Sequence, residues 1–179
     1  GSRFRLAVEH FFRGPTDEET REPDAYEQYV FKTAGEKTKT LIFSNSRGKA
    51  EETIAALRNI ARRKNLPDIY HVHHGSISAP LREATERAMR APHQPAVTAA
   101  TLTLELGIDI GQLERIIQLD SPFSVSSFLQ RLGRSGRRGD PSEMWFVCEE
   151  DLPSGKESLP DQIPWLLLQA IAIIQLYVE

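Results

Sequence analysis

The segment Thr40-Leu-Ile-Phe-Ser-Asn-Ser-Arg47 joins a short apolar run to a cluster of polar side chains. The run from Thr40 to Ser44 does not alternate, which predicts a strand buried on both faces. A helical pattern follows and continues to about Asn65, with apolar residues at spacings of four, three and four. These apolar positions are Ala50, Ile54, Leu57 and Ala61. A buried strand that leads directly into an amphipathic helix is typical of a parallel sheet.

The same alternation extends along most of the chain. Further strands are predicted at Phe4 to Phe12, Ile69 to His74, Ala96 to Thr101, Arg115 to Leu119 and Met144 to Cys148. Further helices are predicted at Asp24 to Ala34, after the candidate N-cap Ser78, and at Val125 to Leu132. We therefore expect an α/β fold with a doubly wound, mainly parallel sheet and helices on both faces. Ligands of such sheets bind beyond the carboxyl ends of the strands.

Composition narrows the class of protein. The chain has 179 residues, of which 40% are hydrophobic and 26% charged, so disorder and a disulfide scaffold are excluded. The single cysteine, Cys148, cannot form an internal disulfide or a Cys-based zinc site, which predicts a reducing, cytoplasmic compartment.

The position of the charge matters more than its sum. The formal net charge of -3 alone argues against a nucleic-acid partner. Residues 28–139, however, carry 17 basic and 10 acidic residues, whereas residues 17–27 and 140–161 are acidic. The basic centre therefore favours an anionic partner, although charge runs are often only solvated faces.

Two polar clusters follow predicted strands. The hydroxyl of Ser46 and the guanidinium of Arg47 suit phosphate oxygens at a helix N-terminus, although Ser46 alternatively caps the helix alone. In the second cluster, Gly107 and Gly111 bracket Asp109 in an apolar stretch, so this carboxylate needs a ribose hydroxyl or a cation as partner. A capping or salt-bridged Asp109 is the alternative. Thr101 suits a phosphate contact, or is simply a structural strand threonine.

The third cluster is Gln130-Arg-Leu-Gly-Arg-Ser-Gly-Arg-Arg-Gly139. On a helical turn Gln130, Arg134 and Arg137 share one face, and the glycines beside them leave room for a bulky anion. Two converging guanidinium groups repel each other unless an anion lies between them, so a triphosphate fits. Surface salt bridges are the alternative.

In this order, with His-His-Gly-Ser at residues 73–76, the clusters resemble motifs IV, IVa, V and VI of superfamily 2 helicases. The resemblance covers about Thr40 to Cys148 and concerns the second RecA-like domain of DEAD/DEAH-type helicases. The sequence Leu-Glu-Leu-Gly-Ile-Asp-Ile-Gly at residues 104–111 is similar to the corresponding sequences of the large helicase-related (Lhr) branch.

The resemblance implies a role for each matching residue. Arg134 and Arg137 would be arginine fingers for ATP with Mg²⁺ bound by the N-terminal RecA-like domain of the same protein, and Gln130 would position the triphosphate or water. Gly107 and Asp109 would couple the state of the bound nucleotide to the contact with the nucleic-acid strand. The residues expected at the backbone of a DNA or RNA strand are Ser46, Arg47, Gly75 and Thr101. No Gly-x-x-x-x-Gly-Lys-Ser/Thr loop and no acidic Mg²⁺ motif occurs, so we expect no hydrolysis by this chain alone.

Other functions remain open at this stage. The histidines of His71-Val-His-His74 are candidate ligands of a metal enzyme or sensor. A non-catalytic nucleic-acid-binding module of RecA-like shape and a related superfamily 2 translocase are further alternatives.

The expected domain organisation has three parts. Residues 1–2 resemble a cloning scar, residues 3–155 form the helicase C-terminal RecA-like domain, and residues 156–179 form a helix leading toward a following domain. The apolar run from Ile163 to Val178 contains two glutamines and is short for a membrane span, so no membrane partner is expected.

Overall fold

The computed structural model describes residues 4–13, 22–101, 111–119, 142–151, 168 and 171–172. Strands and helices alternate along much of this part of the chain. The strands are β1 (Phe4–Arg13), β2 (Lys39–Ser44), β3 (Tyr70–His73), β4 (Ala96–Thr101), β5 (Arg115–Gln118) and β6 (Ser142–Asp151). The helices are α1 (Ala25–Gly35), α2 (Arg47–Arg63) and α3 (Ala79–Arg90).

The six strands form one sheet in the order β1-β6-β5-β2-β4-β3. Every strand pairing in this sheet is parallel, and β2 lies in the middle with all six of its residues buried. The predicted parallel sheet with a buried β2 is therefore confirmed. Because all strands run in the same direction, their carboxyl ends meet at one edge, which we call the carboxyl edge, and their starts form the amino edge.

Helices cover the sheet on both faces, as predicted. Successive residues of β2 point to opposite faces, so Ile42 packs with α1 and α2, whereas Leu41 and Phe43 pack on the side of α3. On the α3 side, Met89 completes a core that includes residues of β4, β5 and β6. The two cores explain why β2 reads as a continuous apolar run without alternation.

Local signals fix the ends of the helices. The Asp24 carboxylate accepts a hydrogen bond from the Glu27 N–H at 2.8 Å and caps α1. Helix α2 ends at Arg63 with Lys64 as its C-cap, after which Asn65 adopts a positive φ of 52° and the Leu66 N–H donates to the Ala61 carbonyl at 2.9 Å. Ser78 is the N-cap of α3, as predicted, but its side chain makes no capping hydrogen bond.

Some predicted elements lie outside the described residues. These are the helix at Val125 to Leu132 and most of the C-terminal helix in residues 156–179. Within that C-terminal segment, the described residues Leu168, Ile171 and Ala172 are helical and exposed. No helix in the described part of the chain is long and apolar enough to cross a membrane.

A buried guanidinium anchors the amino edge. Arg115, the first residue of β5, donates to Glu143 of β6 at 2.9 Å through Nε, to the Thr33 carbonyl at 2.8 Å and to Glu36 at 2.5 Å. Its guanidinium also lies 3.9 Å from the ring centre of Trp145. One side chain therefore joins two neighbouring strands to the C-terminal end of α1.

A second buried cation occupies the same edge on the opposite face. Lys39, the first residue of β2, donates to the Ala88 carbonyl at 2.6 Å and to the Gln94 carbonyl. Burial lowers the pKa of Lys39, but both carbonyl contacts favour its charged form because they are acceptors. Helix α3 is thereby held by its C-terminal end.

We expect Glu143→Gln to destabilise the fold by about 3 kcal/mol or more, because breaking a buried ion pair leaves Arg115 short of a counter-charge. Burial alone would raise the pKa of Glu143, but hydrogen bonds and charge from Arg115 lower it overall. The stabilisation is therefore complete above the unfolded pKa of about 4.3 and is lost as pH falls through the folded value. Chemical denaturation across pH should show the advantage of the wild type shrinking as pH falls below the unfolded pKa of about 4.3, and vanishing only below the folded pKa of Glu143.

Asp68→Asn is the control. The Arg58 and Asp68 side chains of this ion pair are 43% and 60% exposed, so the pair should contribute less than about 1 kcal/mol. Equal losses in the two variants would contradict the assignment of Arg115 and Glu143 as the anchor of the amino edge.

Candidate nucleic-acid interface

The loops that follow β2 and β3 come together at the carboxyl edge. The β2–α2 loop consists of Asn45 and Ser46, and the β3–α3 loop runs from His74 to Ser78. Strand β4 lies between β2 and β3 and ends at Thr101, whose register partner is Ser44. Parallel topology therefore brings the loops that carry the predicted strand contacts to the same side of the molecule.

Ser46 caps α2. Its Oγ accepts a hydrogen bond from the Lys49 N–H at 3.1 Å, and its carbonyl accepts from the Ala50 N–H at 3.1 Å. The structure therefore confirms that Ser46 caps α2. Because the cap uses a lone pair of the hydroxyl, its hydrogen stays available for a phosphate oxygen, and the predicted strand contact stays a prediction.

Arg47 is exposed at the first position of α2. Its Nη1 donates to Ser76 Oγ at 2.5 Å, which joins the start of α2 to the β3–α3 loop. The first turn of α2 also contains Lys49 and has no acidic residue. Since the helix dipole already makes this end positive, the arrangement is unfavourable for the isolated helix and favourable for a bound anion.

The other two predicted strand contacts differ in exposure. At Gly75 an added Cβ would meet nothing within 4 Å, so the fold itself leaves open space there. Thr101 is only 6% exposed at the end of β4. The structure thus brings Arg47 close to the β3–α3 loop, whereas it places Thr101 deeper, beside the buried Ser44.

His74 fixes the β3–α3 loop. Its Nδ1 accepts from the Ser76 N–H at 3.1 Å, so the ring proton resides on Nε2, which lies 2.8 Å from Glu51 Oε1. Glu51 is a contact that the sequence analysis missed. Its position four residues after Arg47 on one helix face was the available signal.

The histidines do not converge on a metal site. His73 faces α3, with Nε2 3.7 Å from Glu86, whereas His74 faces α2 and uses both ring nitrogens in hydrogen bonds. No three ligating side chains in the described ranges are grouped to hold a metal ion. The idea that His74 adds a third nitrogen to His71 and His73 is wrong, because the strand ends and the next residue points to the other face.

His73 is buried as a neutral group. Burial lowers its pKa, and the Glu86 carboxylate offsets this only in part. Burial likewise lowers the pKa of His71, and the charge of Arg58 adds to the effect. Both rings are therefore uncharged near neutral pH.

The predicted nucleotide-binding residues lie outside the described part of the chain. They are Gly107, Asp109, Gln130, Arg134 and Arg137. The structure describes the strand that precedes each group in the sequence. Strand β4 ends at Thr101, before Gly107 and Asp109, and β5 ends at Gln118, before Gln130, Arg134 and Arg137. Both strand ends belong to the carboxyl edge.

We expect Ser46→Ala to lower the free energy of unfolding by about 1 kcal/mol, because the Lys49 N–H loses its acceptor. Ser46→Asp should keep the wild-type stability, since aspartate is an equally good N-cap and its charge favours the helix N-terminus. Urea denaturation measures both. A Ser46→Ala variant with the same free energy of unfolding as the wild type would contradict the capping role.

The comparisons with known proteins agree with this fold. The family model of the helicase conserved C-terminal domain matches residues 22–139, and the chain belongs to this family. The RecA-like fold is shared with the solved E. coli DEAD-box protein SrmB, with a TM-score of 0.58 at 20% identity, over 83% of this chain and 79% of that one.

The resemblance to the Lhr branch is confirmed as well. The ATP-dependent helicase Lhr-Core of Methanothermobacter thermautotrophicus is 39% identical over 55% of this chain and 11% of its own length. The structure of Mycobacterium smegmatis helicase Lhr bound to ssDNA and AMP-PNP has a TM-score of 0.67 and 30% identity, covering 84% of this chain and 20% of that one. The chain thus spans about a tenth of the curated relative and a fifth of the solved one.

Proposed function

We propose that this chain is the C-terminal motor domain of an ATP-dependent nucleic-acid helicase or translocase. Its carboxyl edge would hold the backbone of a DNA or RNA strand, and it would supply arginine fingers to ATP bound on an N-terminal RecA-like domain. The observation that best supports the strand contact is the meeting of Arg47 and Ser76 at the positive N-terminus of α2.

The proposed strand contact uses side-chain N–H and O–H groups at the two loops that can still donate to phosphate oxygens. Arg47 uses one of its five N–H donors on Ser76, and its other guanidinium hydrogens have no partner among the described residues, so they can donate to phosphate oxygens. The hydroxyl oxygens of Ser76 and Ser46 each accept a hydrogen bond, and neither hydroxyl hydrogen has an acceptor within the described residues, so both can donate to a phosphate oxygen. Phosphate contacts of this kind fix a strand without reading its bases.

The nucleotide part of the proposal rests on the resemblance and the family. Arg134 and Arg137 would stabilise charge on the transferred phosphoryl group, with Gln130 placing the triphosphate or water and Gly107 and Asp109 linking the nucleotide to the strand. ATP with Mg²⁺ would supply the energy for movement. Since the fingers come from a separate domain, hydrolysis would require closure of the two domains.

We expect Gly75→Ala to weaken binding of labelled oligo(dT) and oligo(rU) at least threefold, about 0.7 kcal/mol, because a methyl group would occupy open space reserved for the strand. Its stability should match the wild type. Gly35→Ala is the control, since Gly35 is equally unobstructed but lies at the far end of α1. Anisotropy titration distinguishes the two variants, and unchanged affinity in Gly75→Ala would count against a strand at this loop.

In the full-length protein, Arg134→Ala and Arg137→Ala should each lower strand-stimulated ATP hydrolysis by about 10³-fold or more, as expected for an arginine finger. Strand affinity should change little. Near-normal hydrolysis in both variants would refute the finger assignment, and a full-length wild type without ATPase activity would favour the non-catalytic binding module instead. A related superfamily 2 translocase would hydrolyse ATP without separating a duplex.

A further inference from the structure

Two hydrogen-bonded links connect the β2–α2 side of the carboxyl edge to the β3–α3 loop. One joins Arg47 to Ser76 and the other joins Glu51 to His74. Arg47 and Glu51 are one helical turn apart and therefore face the loop together. The loop is thus attached to α2 at two points rather than one.

The inner link determines the geometry of the outer link. His74 is buried and holds the Ser76 N–H with Nδ1 at 3.1 Å while donating Nε2–H to Glu51. Both bonds require the same tautomer, so the ring cannot rotate without losing one of them. The backbone of Ser76, whose side-chain oxygen receives Arg47, is therefore tied to α2 through His74 and Glu51.

We propose that Glu51 and His74 are positioning residues that make the two loops act as one phosphate-binding unit. This inference rests on the proposed strand contact. Without the Glu51 link, Arg47 and Ser76 would still be present but would have to be ordered by the strand itself, at the expense of affinity.

The sign of the effect separates this proposal from simple electrostatics. Glu51 is a carboxylate with a 57% exposed side chain beside an anion site, so deleting its charge should strengthen strand binding if charge alone mattered. We expect Glu51→Ala to weaken oligo(dT) binding by about five- to tenfold, as for loss of one charged hydrogen bond. Glu51→Gln keeps an acceptor for His74 and should bind at least as tightly as the wild type.

Glu52→Ala is the matched control. Glu52 carries the same charge on the next residue of α2, is exposed, and makes no hydrogen bond to either loop in the described part of the chain. This variant should bind the strand equally or slightly more tightly. If Glu51→Ala and Glu52→Ala behave alike, the positioning role is overturned.

A double-mutant cycle tests whether Glu51 acts through Arg47. In an Arg47→Ala background, Glu51→Ala should have little further effect on affinity, whereas independent roles would give additive losses. The cycle uses the whole 179-residue chain, with unfolding free energies measured for each variant. Because Glu51 is exposed, its variants should fold; His74→Asn, which keeps an acceptor for the Ser76 N–H, should reproduce the loss.

The outcomes separate the two proposals. If the wild type binds no single strand, or if Arg47→Ala leaves affinity unchanged, the strand contact fails and the positioning role fails with it. If Arg47→Ala weakens binding about tenfold while Glu51→Ala does not, only the positioning role fails. Both the strand contact and the positioning role are supported if three results are found together. Glu51→Ala weakens binding, Glu51→Gln restores it, and Glu51→Ala causes no further loss in the Arg47→Ala background.

Discussion

The buried guanidinium of Arg115 is the constraint on which the arrangement of the sheet depends. A charge that is 4% exposed must be compensated within the fold, and Glu143, Glu36 and the Thr33 carbonyl together provide that compensation. These partners come from α1 and β6, on either side of β5 in the sequence. Satisfying one side chain therefore fixes how the first helix docks on the central strands.

The two edges of the sheet use their cations in opposite ways. At the amino edge, Arg115 and Lys39 meet the C-terminal carbonyls of α1 and α3, where the helix dipole favours positive charge. At the carboxyl edge, Arg47 and Lys49 stand at a helix N-terminus, where the dipole opposes them. In the described part of the chain, the cations of the first edge are compensated by carbonyls and carboxylates, whereas those of the second edge are arranged to favour an anion. This asymmetry is the physical basis of the proposed strand contact at the carboxyl edge.

Much of this fold could be predicted from local patterns. The continuous apolar run of β2 and the periodicity of α2 each reflect neighbours within a few residues, and both are found as predicted, whereas the cap at Ser46 is the alternative interpretation of that residue. The Arg115 to Glu143 anchor escaped prediction because its partners are 28 residues apart and leave no periodic signal. The same holds for His74 and Glu51, which are 23 residues apart. The sequence motifs identified the loops that we propose contact the strand, but not the hydrogen bonds that hold these loops together.

The position of β1 sets an order of events during synthesis. In the described part of the chain β1 pairs with β6 alone, and their partner residues are 138 positions apart. Because β1 precedes β6 by more than a hundred residues, it must wait for β6 to be synthesised before it can make this pairing. Until then its aromatic side chains, Phe11 and Phe12 among them, lie on an unpaired strand, which makes β1 prone to aberrant pairing with other chains while β6 is still missing.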